Sequence, residues 1–145
     1  AGDRGLAIVR SSHNAINRLV EFQDETNNIQ GMAIDFNGRP VAVGTPPKVT
    51  AGNQVSYANP NPQVRDLAGS ITAAIRPSPT VPGTIATVMF SRGHAQVPLF
   101  ITLADHSAIP GNLYVSSRDT NGFTVSTRSA LPGGTILNFD YAVIA

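Results

Sequence analysis

Alternation of apolar and polar residues with a period of two governs residues 84–145 and limits the chain's fold more than any other feature. The runs "TIATVMF", "VPLFITLA", "NLYVSSRD", "GFTVSTR" and "TILNFDYAVIA" all read as strands. Turn residues at Arg92-Gly93, Pro110-Gly111, Asn121-Gly122 and Pro132-Gly133-Gly134 separate most of them. Short, regularly punctuated strands predict an antiparallel β-sandwich or barrel. Alternation assigns Ala86, Val88, Phe90, Leu99, Ile101 and Leu103 to the core face. Leu113, Val115, Phe123, Val125, Leu137, Phe139, Tyr141 and Val143 join them. The other face of the last strand carries Ile136, Asn138, Asp140, Ala142 and Ile144. It is half apolar, and burial in a sandwich or against another subunit would account for that.

The first part of the chain has a different texture. Ile8, Ser12, Ala15, Leu19 and Phe22 fall at helical spacing, with Val9, Ile16 and Val20 beside them. Ser12 suits an N-cap, so a short helix is expected from His13 to about Asp24, closed by Asn27, Asn28 and Gly31. Three amphipathic turns are marginal alone. The stripe must pack on the chain's own β-domain or on a neighbouring copy.

A hairpin follows. Asn37-Gly38 sits between the runs "MAIDF" and "RPVAV", and Asn-Gly favours a tight two-residue turn. Pro40 assigns its strand to a sheet edge. Residues 44–83 hold Pro46, Pro47, Pro60, Pro62, Pro77, Pro79 and Pro82. Only "QVSY" and "GSITAAI" break this stretch with strand-like residues. It reads as a Pro-rich extended strap. The expected organisation is a helical arm over 1–30, hairpin and strap over 31–83, and a β-sandwich of about six strands over 84–145.

Composition narrows the function. The 145 residues contain no cysteine, so disulfides and thiolate zinc sites are excluded. Charged residues are 13% and the net charge is +1, which supplies no basic field for nucleic acid. Nine of the ten cations are Arg, with Lys48 the exception. Arg suits interfaces because its planar fork pairs bidentately; genomic composition gives the same bias. The start "AGDRGLAIVR" lacks the long apolar run of a signal peptide. No apolar run approaches the roughly 20 residues that span a bilayer, so a soluble protein is expected.

Catalytic patterns are weak. His13, His94 and His106 are scattered and do not form a metal-ligand spacing. Ser91, His94 and Asp105 could be joined into a triad, but no nucleophile-elbow sequence surrounds Ser91. There is no P-loop and no dinucleotide fingerprint. The expectation is a non-enzyme without catalytic residues, metal or cofactor. Arg118 and Arg128 point outward by alternation, as solvated charge or as partners for Asp119, Asp140 or another chain. Tyr57, Tyr114 and Tyr141 suit strand packing or, where exposed, a sugar platform.

The order "TIATVMFSRGHAQVPLFITLADHS", "NLYVSSRDTNGFTVST" and "GGTILNFDYAVIA" resembles a terminal β-domain of tailed-phage virion proteins. Pro98, Gly122-Phe123 and the closing Phe139-Asp140-Tyr141 carry the resemblance. A similar layout occurs in H-type lectins. The resemblance implies an antiparallel sandwich that trimerises on a virion surface, with the protein made in the host cytoplasm. Two roles follow: a capsid cement protein bound to the major capsid protein or another virion protein, or a fibre tip that binds a receptor. A free lectin-like carbohydrate-binding module is a third reading. Under the cement reading, Leu6, Ile8, Val9, Ile16, Leu19, Pro46 and Pro47 are the expected contacts. Ile136 and Ile144 are candidates on the last strand.

Overall fold

The computed structural model describes residues 18–23, 29–35, 39–42, 44–77 and 81–144. The chain divides into two compact units, Ala1–Thr45 and Pro46–Ala145. Among the described residues every regular element is a strand.

In the first unit, β1 (Arg18–Gln23), β2 (Ile29–Asp35) and β3 (Pro40–Ala42) form an antiparallel sheet in that order. The expected hairpin is present: Met32, Ala33 and Ile34 pair with Ala42, Val41 and Pro40. Its turn at 36–38 lies outside the described residues. Pro40 occupies an edge strand, where its missing N–H costs no ladder bond. The expected helix is corrected at its C-terminal half: residues 18–23 are a strand, and Val20 and Glu21 pair with Ile34 and Ala33. Leu19, Val20 and Phe22 satisfy both periods in so short a window. Pairing with the seven-residue β2 supplies hydrogen bonds and a partner that a three-turn helix lacks. His13–Asn17 and Asp24 lie outside the described residues.

The second unit begins at Pro46, well before the expected boundary at Thr84. The region expected as a strap contains three strands: β4 (Lys48–Ala51), β5 (Val55–Pro60) and β6 (Ala68–Ile75). Its described prolines, Pro46, Pro47, Pro60, Pro62, Pro77 and Pro82, sit at strand ends and in the connections, where no ladder donor is needed. Then come β7 (Thr84–Met89), β8 (Phe100–Asp105), β9 (Leu113–Asp119), β10 (Gly122–Thr127) and β11 (Ile136–Ile144). They make two four-stranded antiparallel sheets, ordered β4-β7-β10-β9 and β5-β6-β11-β8. Five of these eight strands lie within 84–145, where about six were expected, and three come from the expected strap.

The inner faces of both sheets feed one core. Val55, Ile71, Ala73, Leu137, Phe139 and Tyr141 come from one sheet; Ile85, Val88, Phe123 and Val125 come from the other. Each large aliphatic or aromatic side chain so buried stabilises by roughly 1.5–3 kcal/mol. Phe123 packs edge-on against Tyr141 with ring centroids 5.1 Å apart. Ile101, Leu103, Leu113 and Val115 pack against this core half-buried. Leu99, expected inside, is 69% exposed. It precedes the first paired residue of β8, so nothing on β11 covers it.

One polar device ties the two sheets together, and a second fastens β11 to the β5–β6 connection within its own sheet. Asp66, between β5 and β6, accepts hydrogen bonds from Ser91 N at 2.8 Å, Ser91 Oγ at 2.7 Å and Arg92 N at 3.3 Å, beyond the end of β7. The Tyr141 hydroxyl donates to the Arg65 carbonyl at 2.5 Å. Burial, with Asp66 nearby, pushes that phenol well above its ordinary range.

The β9–β10 hairpin turns at Thr120-Asn121, one residue before the expected Asn121-Gly122, and by a different route. Neither Asn121 nor Gly122 has a positive φ. Asp119 Oδ1 instead accepts from Asn121 N at 2.7 Å and Gly122 N at 3.0 Å. Gly122 serves close approach: a Cβ there would overlap the Val88 carbonyl oxygen on β7.

Candidate functional site

β11 is the strand that positions the most polar chemistry. Its nine residues alternate without a break. Leu137, Phe139, Tyr141 and Val143 point into the core, which leaves Asn138 and Asp140 on the outer face. Register then sets Thr72 of β6 beside Asn138, and Ser70 beside Asp140. Ser70 Oγ donates to Asp140 Oδ1 at 2.5 Å, and Thr72 Oγ1 donates to Asn138 Oδ1 at 2.8 Å. His106, just past β8, brings Nε2 to 3.0 Å from Asp140 Oδ2.

These contacts hold the Asp140 carboxyl below the usual range. The Ser70 hydroxyl contributes most, and His106 adds to it against a smaller cost of burial. Asp105 behaves alike. Burial raises it, but hydrogen bonds from Ser107 and from the Gly111 backbone, with His106 alongside, outweigh that and lower it. Ser107 N and Gly111 N donate to its two oxygens at 2.9 and 2.6 Å.

The cluster is a scaffold for charge rather than a nucleophile. Asp140 stands between Ser70 and His106, so the hydroxyl faces the carboxylate and not the imidazole. A serine nucleophile needs the reverse order, with the imidazole on the hydroxyl. The triad considered from sequence is not assembled either. Ser91 binds Asp66, Asp105 closes its own turn, and the His94 ring packs edge-on against Phe90 at 4.6 Å. Among the described residues no three His, Asp or Glu side chains converge as a metal site. Among them too, no helix is long and apolar enough to cross a membrane.

The arginines divide. Arg118 donates to the Leu99 carbonyl at 2.5 Å, and the Arg128 guanidinium lies 4.4 Å over the Tyr114 ring. Tyr57 is exposed, Tyr114 half-buried and Tyr141 buried.

The expected contact residues scatter. Leu6, Ile8, Val9 and Ile16 lie outside the described residues, and Leu19 falls on β1. Pro46 is exposed and Pro47 buried. Ile136 and Ile144 are both exposed, but they occupy opposite ends of β11.

Around Ile144, an expected contact residue, lies a wider apolar surface whose other members the sequence reading did not assign to an interface. Ile144 pairs with Phe100, and both are 48% exposed. Val97 and Leu99 stand exposed just before Phe100. The group borders β8, an edge strand of its sheet. The other three edges of the two sheets carry protecting residues: Lys48 in β4, Pro60 in β5, and Arg118 with Asp119 in β9. β8, "FITLAD", has only Asp105 at its last position. A strand without Lys or Pro beside an apolar cluster was the available signal, but recognising β8 as an edge required the topology.

Comparison with known proteins finds no matching family model, no similar curated protein and no similar solved structure.

Proposed function

We propose that this chain is a non-enzymatic virion structural protein, a capsid cement whose two sheets form a β-sandwich. In this reading it binds the assembled shell as a homotrimer, through the major capsid protein or another virion protein. The observation that carries the interaction role is the unprotected edge of β8 flanked by Val97, Leu99, Phe100 and Ile144. Such an edge offers unpaired backbone donors and acceptors beside apolar surface, the chemistry of strand addition by a partner. The virion setting rests on the resemblance carried by Thr84–Ala145. A protein that binds the shell but not its free subunits stabilises the shell by its binding free energy, and linked copies multiply weak contacts.

The test uses Phe100→Lys, which gives β8 the guard that Lys48 gives β4. It is read by quantitative mass spectrometry of purified particles. High wild-type copy number, lost in the variant while its melting temperature holds, supports the proposal. A few copies per particle would favour the fibre-tip reading. Absence from particles, or full occupancy by the variant, overturns it.

A further inference from the structure

The outer face of the sheet β4-β7-β10-β9 has no part in the proposed role, and it is complementary to itself. Two cross-strand rows run over all four strands. The first is Lys48, Met89, Gly122 and Asp119, from β4 through β7 and β10 to β9. The second, two residues along, is Thr50, Thr87, Thr124 and Ser117. Val49, Val88 and Phe123, of opposite parity, pack in the core, so both rows face away from it.

The order within each row matters. The first row begins with a cation and ends with a carboxylate. Asp119 gives Oδ1 to its turn, and Oδ2 takes no part in that turn. Between the two charges a knob stands beside a hollow. Met89 is 48% exposed, and Gly122 next to it has no side chain. A shallow cleft of about 280 Å³ opens here, lined among others by Met89, Gly122, Asp119, Thr87, Thr124 and Ser117. The second row is all hydroxyls. Those of Thr87 and Thr124 are 3.4 Å apart, a long contact that leaves each with further hydrogen-bonding capacity.

We infer that this face docks on the same face of a second copy, about a two-fold axis running along the strands between β7 and β10. That operation lays β4 of one copy over β9 of the other, and β7 over β10. Lys48 then meets the partner's Asp119, and Met89 enters the hollow at the partner's Gly122. Thr87 faces the partner's Thr124, and Thr50 faces the partner's Ser117. Each match occurs twice, as an isologous contact requires. A two-fold across the strands would instead set each residue of a row on its own copy, cation on cation and carboxylate on carboxylate.

The face is small. Four strands about 4.8 Å apart and about six residues long span roughly 400 Å² per copy, at the weak end for a specific contact. Association is therefore reversible, and linked copies strengthen it through effective concentration. The contact does not use β8, and a three-fold axis cannot generate it. In the trimer of the proposed reading it would join one trimer to the next.

The test is sedimentation of the full chain at concentrations up to about 1 mM. The wild-type mass doubles as concentration rises. Met89→Ala removes the knob, and Lys48→Glu sets a carboxylate against Asp119. Each change acts twice in a symmetric contact, so each weakens the doubling about tenfold or more, with the melting temperature unchanged. The chain has no cysteine, which allows a second measurement. Thr50→Cys and Ser117→Cys are mixed and treated with a short bismaleimide. The mixture gives a cross-linked pair and neither variant alone does, because the axis sets the two copies of β4 on opposite sides of the contact. The inference is overturned if the mass does not double or if both sedimentation variants associate as wild type. It also falls if either cysteine variant alone cross-links as well as the mixture.

Discussion

Replacing Asp66 by Ala removes the acceptor of three hydrogen bonds at once and tests whether that carboxylate clamps the two sheets. Hydrogen bonds to a charged group contribute about 1.5–3 kcal/mol each in mutational series. Two of the three here are short, Ser91 Oγ at 2.7 Å and Ser91 N at 2.8 Å, while Arg92 N at 3.3 Å is long. Asp66 is half-buried and Ser91 exposed, so water replaces part of what is lost. The expected cost is about 2 kcal/mol, a fall in melting temperature of roughly 8–16 °C for a unit of this size. Asp66→Asn keeps an acceptor oxygen and should lose about half as much. Thermal unfolding followed by circular dichroism measures all three proteins. A double-mutant cycle with Ser91→Ala isolates the hydroxyl contact, for which about 1 kcal/mol of coupling is expected. A loss below about 0.5 kcal/mol for Asp66→Ala, the level of an ordinary surface change, would refute the clamp. So would a cycle in which the two substitutions simply add.

Two other outcomes follow from the geometry. Gly122→Ala places a methyl group on the Val88 carbonyl oxygen. It should cost about 1–3 kcal/mol in chemical denaturation, as overpacking does, and a neutral result would mean that the β7–β10 spacing is looser than described. In acid, Asp140 and Asp105 act together because both carboxyls are lowered in the folded protein. Their contribution is complete above the unfolded carboxylate value of about 3.9. It is lost as pH falls through the lower folded values. Wild type should therefore lose stability below about pH 4, and Asp140→Asn should flatten that loss; identical slopes for the two proteins would contradict the assignment.

The sequence is most legible where one period has no competitor. In β11, apolar residues alternate over a run of nine residues, too long to confuse with a helix, and Leu137, Phe139, Tyr141 and Val143 are buried as their parity requires. It is least legible where two periods coincide. Leu19, Val20 and Phe22 fit a helical stripe and a strand equally, and only the presence of β2 decides between them. Proline also misleads in this chain. Pro46, Pro47, Pro60 and Pro62 suggest a strap, yet three strands fit between or beside them because each proline falls where no ladder N–H is needed. The polar cluster was out of reach for another reason. Ser70 and Asp140 are neighbours through the β6–β11 register alone. Likewise, the carboxylate that Ser91 meets is Asp66, set by the loop before β6, and not the Asp105 that sequence proximity suggested.

Protection of the edges connects these points to function. A chain with 13% charged residues has few guards to distribute, yet it places Lys48 on β4, Pro60 on β5, and Arg118 with Asp119 on β9. Any of these raises the cost of pairing with a stray strand. On β8 the same economy is not applied, and the residues around it are Val97, Leu99, Phe100 and Ile144 rather than lysines. Folding does not require their exposure, since the core is complete without them. Among the described residues no strand pairs with β8 on that side, and an open edge of this kind is an aggregation hazard unless something occupies it. In the proposed reading, β8 is the edge that a partner pairs with. Placing a single lysine at Phe100 asks whether that pairing is how the protein works.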